Sequence, residues 1–182
     1  MLIIQSIVNI SEVNFYIMSS IIKLRGKGVS RIINSKVMLS PLAGVTDKIF
    51  RKLVRKWAPE SLLFTEMINA TSLKHGYGTQ KIKQLELEKG PIGVQIFDNR
   101  PFAVSEAAKL AEDSGAFLID INMGCPVKKI SRKGGGSALI KDRLLAIELV
   151  KRVSNAVKVP VTVKTRLGWN NKEAVSYTHL RA

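Results

Sequence analysis

The chain has 182 residues, 46% hydrophobic and 24% charged, the proportions of a globular domain long enough to bury a core. Lys and Arg number 29 against 14 Asp and Glu; the net charge of +15 favours a polyanionic partner, although a solvated basic surface would share that composition. A single cysteine excludes an intrachain disulfide framework and points to a reducing, cytoplasmic compartment; with His75 and His179 far apart, no metal set can be read, and both histidines read as surface residues.

The first 35 residues are apolar but broken by Gln5, Asn9, Glu12, Asn14 and Lys23, so neither a membrane span nor a secretory signal is expected. Met18 is an alternative start, which would leave residues 1–17 as upstream translation. From residue 37 onward, short β-rich runs alternate with helical ones. "VMLSPLAG" (37–44) reads as a strand entering a glycine-containing turn. "DKIFRKLVRKW" (47–57) reads as a helix capped by Asp47, with Ile49, Phe50, Leu53, Val54 and Trp57 as its apolar stripe and Pro59 beyond its end. "SLLFTEM" (61–67) is a second strand; residues 68–89, broken by Gly76 and Gly78, should form a short helix and a loop. "PIGVQIF" (91–97) is a third strand, followed by a helix over 100–115 with Pro101 in its first turn and Gly115 at its end. "AFLIDINM" (116–123) is a fourth strand, 142–157 an amphipathic helix capped by Asp142, and "VPVTVKTR" (159–166) a fifth strand.

Such alternation with short connections means parallel strands joined by right-handed crossovers, in a doubly wound sheet or a barrel. Side-chain alternation favours the barrel. Phe117, Ile119 and Ile121, Val161 and Val163, and Ile92, Val94 and Ile96 give each strand one aliphatic face for helices. The opposite faces carry Gln95, Asp120, Asn122, Lys164 and Arg166, with Glu66 a further candidate. Singly, each is more often an ordinary polar residue near a strand end. Equivalent positions on successive strands instead bring Gln95, Asn122, Lys164 and Glu66 to one barrel mouth, where such folds keep their sites. The expected fold is α/β, a (β/α)8 TIM barrel truncated to about its first five units, leaving an unpaired parallel edge and an uncovered apolar face.

Cys125 lies just past the fourth strand between Gly124 and Pro126. A lone cysteine is most often a small buried hydrophobe. At a strand end it could instead act as a general acid, since an ordinary thiol is protonated at neutral pH, or as a nucleophile, although no histidine is placed to serve as its base. "GGGSAL" (134–139) matches neither a dinucleotide fingerprint nor a phosphate loop. Preceded by Lys128, Lys129, Arg132 and Lys133, it reads as a basic, mobile loop suited to a large anionic substrate.

"SPLAGVTDKIFRKL", "TEMINA", "GVQIFD", "DINMGCPVKKISRKGGGSALI" and "VPVTVKTRLGW" together resemble the tRNA-dihydrouridine synthase family, its bacterial B-type branch most closely, over about 32–170. The resemblance implies an FMN-bearing barrel that reduces uridine in tRNA, with NADPH reducing the flavin. Pro41, Leu42 and Ala43 would contact the isoalloxazine, Gln95 would hydrogen-bond it, Lys164 would place a positive charge beside it, and Asn122 would seat uracil or flavin. Hydride would pass to uracil C6 and Cys125 would protonate C5. Lys128, Lys129, Arg132, Lys133 and Arg166 are the candidate tRNA contacts. Ser40 and Leu42 stand where the family commonly has Ala and Met. The family's histidine-bearing sixth strand, FMN-phosphate loops and C-terminal helical domain have no counterpart, so flavin affinity and turnover by this chain alone are in question. Residues 1–31 are expected to be an extension outside the family, 32–170 a partial catalytic barrel, and 171–182, with "VSYTHLRA", an aberrant tail. A full-length protein is expected to be monomeric, with no membrane and no metal partner. Another FMN-dependent barrel, such as a dihydroorotate dehydrogenase, and a non-catalytic RNA-binding remnant are the alternatives; the basic stretch after Cys125 argues against the first.

Overall fold

The computed structural model describes residues 3–5 and 22–169, with side chains described within 22–169 except those of Lys74, Gln84 and Glu86. The expectations for Met18, His179 and the 171–182 tail lie outside these residues. β4 (Met38–Leu39), β5 (Leu62–Phe64), β6 (Ile68–Asn69), β7 (Ile92–Phe97), β8 (Leu118–Met123) and β9 (Val161–Thr165) build a parallel sheet. Its order is β9–β8–β7–β5–β4, and β6 continues the line of β5 alongside β7. The result is an α/β fold with a curled, half-barrel parallel sheet.

The helices form where caps and periodicity allow. α1 (Lys48–Trp57) is capped by the Asp47 carboxylate, which accepts from the Phe50 amide. α4 (Pro101–Asp113) starts on its proline and is followed by Gly115 at φ 90°, a left-handed turn that a Cβ would disfavour. α6 (Arg143–Ala156) is capped by Asp142, which accepts from the Leu145 amide. The 68–89 region adds α2 (Ala70–Lys74), α3 (Thr79–Lys83) and a 3-10 turn over Gln84–Leu87. Ile92, Val94, Ile96, Ile119, Ile121, Val161 and Val163 pack with Val104, Ala108, Leu149 and Val153 in the main core.

A smaller core closes the other face of the sheet. β2 (Ile22–Arg25) and β3 (Ser30–Ile33) pair as an antiparallel hairpin that the sequence pattern did not reveal. Its Leu24 and Ile33 pack on Leu62, Phe64 and Leu118. Gly26 fits because a Cβ there would stand 2.1 Å from the Lys158 carbonyl oxygen. Gly93 leaves space for the Phe64 ring, which a Cβ would meet at 2.6 Å.

Three expectations are corrected. Phe117 precedes β8 and packs with the smaller core, under Arg31 at 5.3 Å, rather than facing the helices with Ile119 and Ile121. The α1 stripe points largely outward: Ile49 is 79%, Leu53 52% and Trp57 85% exposed. The side chain turned inward is Arg51, which ion-pairs with Glu88 and donates to the Thr46 carbonyl. A buried guanidinium needs such partners, and satisfying them fixes the helix's rotation. Finally, the outer edge of β9 is not bare, since β1 (Ile3–Gln5) pairs with it antiparallel, Ile3 opposite Lys164.

Candidate functional site

Three register rows climb the inner face of the sheet. Phe64, Gly93 and Leu118 lie side by side at the hairpin end. Gln95, Asp120 and Thr162 form the next row, and Asn122 sits beside Lys164 in the last. Two residues of β-strand lift a side chain by about 7 Å on the same face, so the polarity of the face changes over one step.

The upper rows are hydrogen-bonded to one another. Asp120, 4% exposed, accepts from Thr162 Oγ1 at 2.7 Å on one oxygen and from Gln95 Nε2 at 2.6 Å on the other. Gln95 Oε1 accepts from Asn122 Nδ2 at 2.9 Å, and the Gln95 amide donates to Thr65 Oγ1 at 3.2 Å. Asn122 Oδ1 in turn accepts from the amides of Gly124 at 3.2 Å and Cys125 at 2.9 Å. Burial pushes the Asp120 carboxyl up to about 6, opposed by the Gln95 and Thr162 hydrogen bonds and the nearby charge of Lys164.

Cys125 is thus held at a turn and remains half-buried. Its carbonyl accepts from the Ser137 amide at 2.9 Å, and a Cβ on Gly136 would stand 2.6 Å from that oxygen. The glycine run is therefore not a mobile loop. Gly135, Gly136 and Ser137 are buried, and the run leads into a 3-10 turn over Gly136–Ile140 packed behind the cysteine. α5 (Lys128–Ser131) carries Lys128 and Lys129, followed by Arg132 and Lys133, all exposed. Arg166 is also exposed, but its Nε donates to the Gly124 carbonyl at 2.6 Å, so it braces the cysteine turn.

The 41–46 turn borders a cavity, with Ala43 in its lining. Thr46 closes it through Leu42, whose amide and carbonyl both bond the threonine hydroxyl. Leu42 is exposed and Pro41 half-buried. Glu66 fastens the turn from outside: its carboxylate accepts from the Gly44 amide and from Lys81 Nζ, each at 2.7 Å, and those two bonds, Lys81's foremost, hold its carboxyl below the usual range. A cavity of about 640 Å³, a volume suited to a small ligand, opens beside this turn among Asn69, Asp98, Arg100, Tyr77, Lys129 and Lys133. Met67 lines it and touches Asn122 through its sulfur at 3.6 Å, linking cavity and network. Burial raises the Asp98 carboxyl, but the Arg100 hydrogen bond and those of Thr71 and Asn99 outweigh it and lower the net value.

Asn122, Cys125 and Lys164 therefore lie together at one end of the sheet with Gln95 buried beneath them, while Ala43 lines the neighbouring cavity with Lys129 and Lys133. The candidate reading from sequence omitted Asp120 and Thr162 as site residues, along with the bracing by Arg166. The alternation did put Asp120 on the inner face, two positions before Asn122, but no local pattern names its partners. Among the described residues, no three of His, Cys, Asp and Glu come together as a metal set, and no helix is long and apolar enough to cross a membrane.

Over most of its length the chain is similar to known proteins. Residues 38–180 match the family model described as dihydrouridine synthase. A Synechocystis protein named "Probable tRNA-dihydrouridine synthase 1" is 49% identical over 79% of this chain and 41% of its own length. The tRNA-dihydrouridine synthase B of Vibrio parahaemolyticus is 39% identical over 81% of this chain and 47% of its own. A Rickettsia bellii protein named "Probable tRNA-dihydrouridine synthase" is 39% identical over 77% and 43%. The chain thus spans between two fifths and one half of the length of these relatives.

Proposed function

The chain belongs to the dihydrouridine synthase family, and on that premise we propose that it reduces the C5–C6 double bond of specific uridines in tRNA, with FMN as cofactor and NADPH as reductant. The observation that carries this reading is the Asn122 clasp on the Cys125 amide, one strand away from Lys164. It fixes the turn that carries the thiol, next to the strand that carries the cation.

The rim suits a planar, electron-rich ring. Lys164 supplies a cation, Gln95 and Asn122 supply amides, and Pro41, Leu42 and Ala43 supply an apolar flank. These residues are the proposed FMN contacts. Bound there, the flavin would supply the hydride that reaches uracil C6. Cys125 gives its proton to C5, so that one hydride and one proton together saturate the bond. Lys164 stabilises negative charge beside it, and Asn122 holds the Cys125 backbone so that the thiol meets the base in a fixed pose.

A uridine must leave its stack to enter such a pocket. Lys128, Lys129, Arg132 and Lys133 line one approach and suit tRNA phosphates, with release of counterions as the driving force. Arg166 is the weaker RNA candidate because it already bonds Gly124. The reading also includes a (β/α)8 barrel for the whole protein, a cytoplasmic monomer, and a catalytic segment over 32–170 preceded by an extension.

Three measurements test it. The purified chain should carry or take up FMN, seen as a yellow absorbance, and should bind tRNA with an affinity that falls steeply with salt. The absence of both flavin uptake and tRNA binding would overturn the proposal, and tRNA binding without flavin uptake would favour the RNA-binding remnant. In a version able to reduce tRNA, Cys125→Ala should keep flavin bound and lower dihydrouridine formation by about 10²–10⁴-fold; undiminished product removes the acid role.

A further inference from the structure

Asp120 is buried on the inner face of β8, two positions before Asn122, where it hydrogen-bonds Gln95 and feels the charge of Lys164. Its importance lies in polarity. An ionised carboxylate can only accept hydrogen bonds, whereas a glutamine or asparagine side chain can present either its oxygen or its NH₂. Facing an acceptor, Gln95 must point Nε2 at Asp120, which turns Oε1 toward Asn122. Facing that oxygen, Asn122 must offer Nδ2, which turns Oδ1 toward the turn. Only in that orientation can Asn122 accept from the amides of Gly124 and Cys125.

We propose that Asp120 is a positioning residue whose carboxylate sets the donor–acceptor direction of Gln95 and Asn122, and so locks the Cys125 turn for the proton transfer proposed above. The proposal rests on that functional reading for its purpose, but the relay stands on this chain's own hydrogen bonds. Thr162 supports it from β9 by donating to the second carboxylate oxygen. Around Asp120, β7 contributes only the neutral Gln95, while β9 contributes the neutral Thr162 and the charged Lys164. Protonation gives Asp120 a donor of its own. Gln95 can then turn its oxygen toward Asp120, Asn122 can follow, and an NH₂ would face the Cys125 amide, where a donor meets a donor.

The test is nuclear magnetic resonance on the unliganded chain between pH 4.5 and 8, which needs neither flavin nor tRNA. The side-chain NH₂ signals of Gln95 and Asn122 and the backbone amides of Gly124 and Cys125 should titrate with one shared midpoint. Asp120→Asn should abolish that titration. Thr162→Val removes a hydrogen bond to the charged form and should raise the shared midpoint by about one pH unit. A carboxylate that merely filled space would leave the Cys125 amide indifferent to pH. A folded wild-type chain with a pH-independent Cys125 amide, or a titration that persists in Asp120→Asn, overturns the proposal. Should Asp120→Asn not fold, the wild-type titration and the Thr162→Val shift decide. An intact relay in a chain that neither binds flavin nor reduces uridine would sink the functional reading and leave the relay standing.

Discussion

At one end of the inner sheet face Phe64, Gly93 and Leu118 meet the β2–β3 hairpin; one step further along the same strands, Gln95, Asp120 and Thr162 meet each other. The lower row is held by exclusion of water and by fit, with a glycine sized to a phenyl ring. The upper row is held by direction: each group has its hydrogen-bond partner, and the chain of partners ends on the backbone of the cysteine turn. The first arrangement contributes stability. The second includes a buried carboxyl that favours its protonated form, which works against the fold at neutral pH. Features that reduce stability and persist in a structure commonly mark function.

The contrast can be broken first at the lower row. Phe64→Ala should cost about 3–5 kcal/mol, read as a drop in the urea midpoint, because it empties a buried ring site. A cost under 1 kcal/mol would mean that the hairpin core does not bear on the fold. The upper row should respond with the opposite sign. With a folded value near 6 against an ordinary 3.8, Asp120 contributes stability that is present below about 4 and lost as pH rises through 6. Asp120→Asn should therefore gain on wild type between those limits, by at most about 3 kcal/mol at pH 7.5. The measurement is the difference in urea midpoints at pH 4.5 and 7.5. The wild-type curve alone would mislead, since Glu66 and Asp98, both lowered, add stability that is lost as pH falls. A gap that narrows with rising pH would contradict the assigned direction.

Two smaller effects sharpen the comparison. Gly93→Ala should destabilise by about 1–3 kcal/mol through the clash with Phe64, and Phe64→Leu in the same chain should restore part of it; a double-mutant cycle without coupling would place the strain elsewhere. Trp57→Ser on α1 should change stability by no more than about 0.5 kcal/mol, as expected for a side chain that is 85% exposed. A large loss there, by thermal unfolding, would show the indole to be covered in solution.

The five strand positions of the barrel portion, the three long helices and their caps at Asp47 and Asp142 were all legible, because strand alternation, helical spacing and capping are recorded within a few neighbouring residues. So was the rim of Gln95, Asn122, Cys125 and Lys164, since equivalent strand positions share a face. The α1 stripe misled because periodicity shows that a helix has an apolar side but not which side meets the core; the Arg51–Glu88 pair decided that from 37 residues away.

By itself the sequence determined the alternating parallel architecture, the family and the residues that reach the rim. Tertiary structure alone decided that a hairpin closes the lower face, that β1 covers the edge of β9, that the glycine run is packed behind Cys125, and that Gln95 bonds both Asp120 and Asn122. The division has a physical origin. Backbone propensity and amphipathic spacing act over a few residues. The partner of a buried polar group is fixed by inter-strand register, which joins Gln95, Asp120 and Thr162 across the chain and is written in no single segment of it.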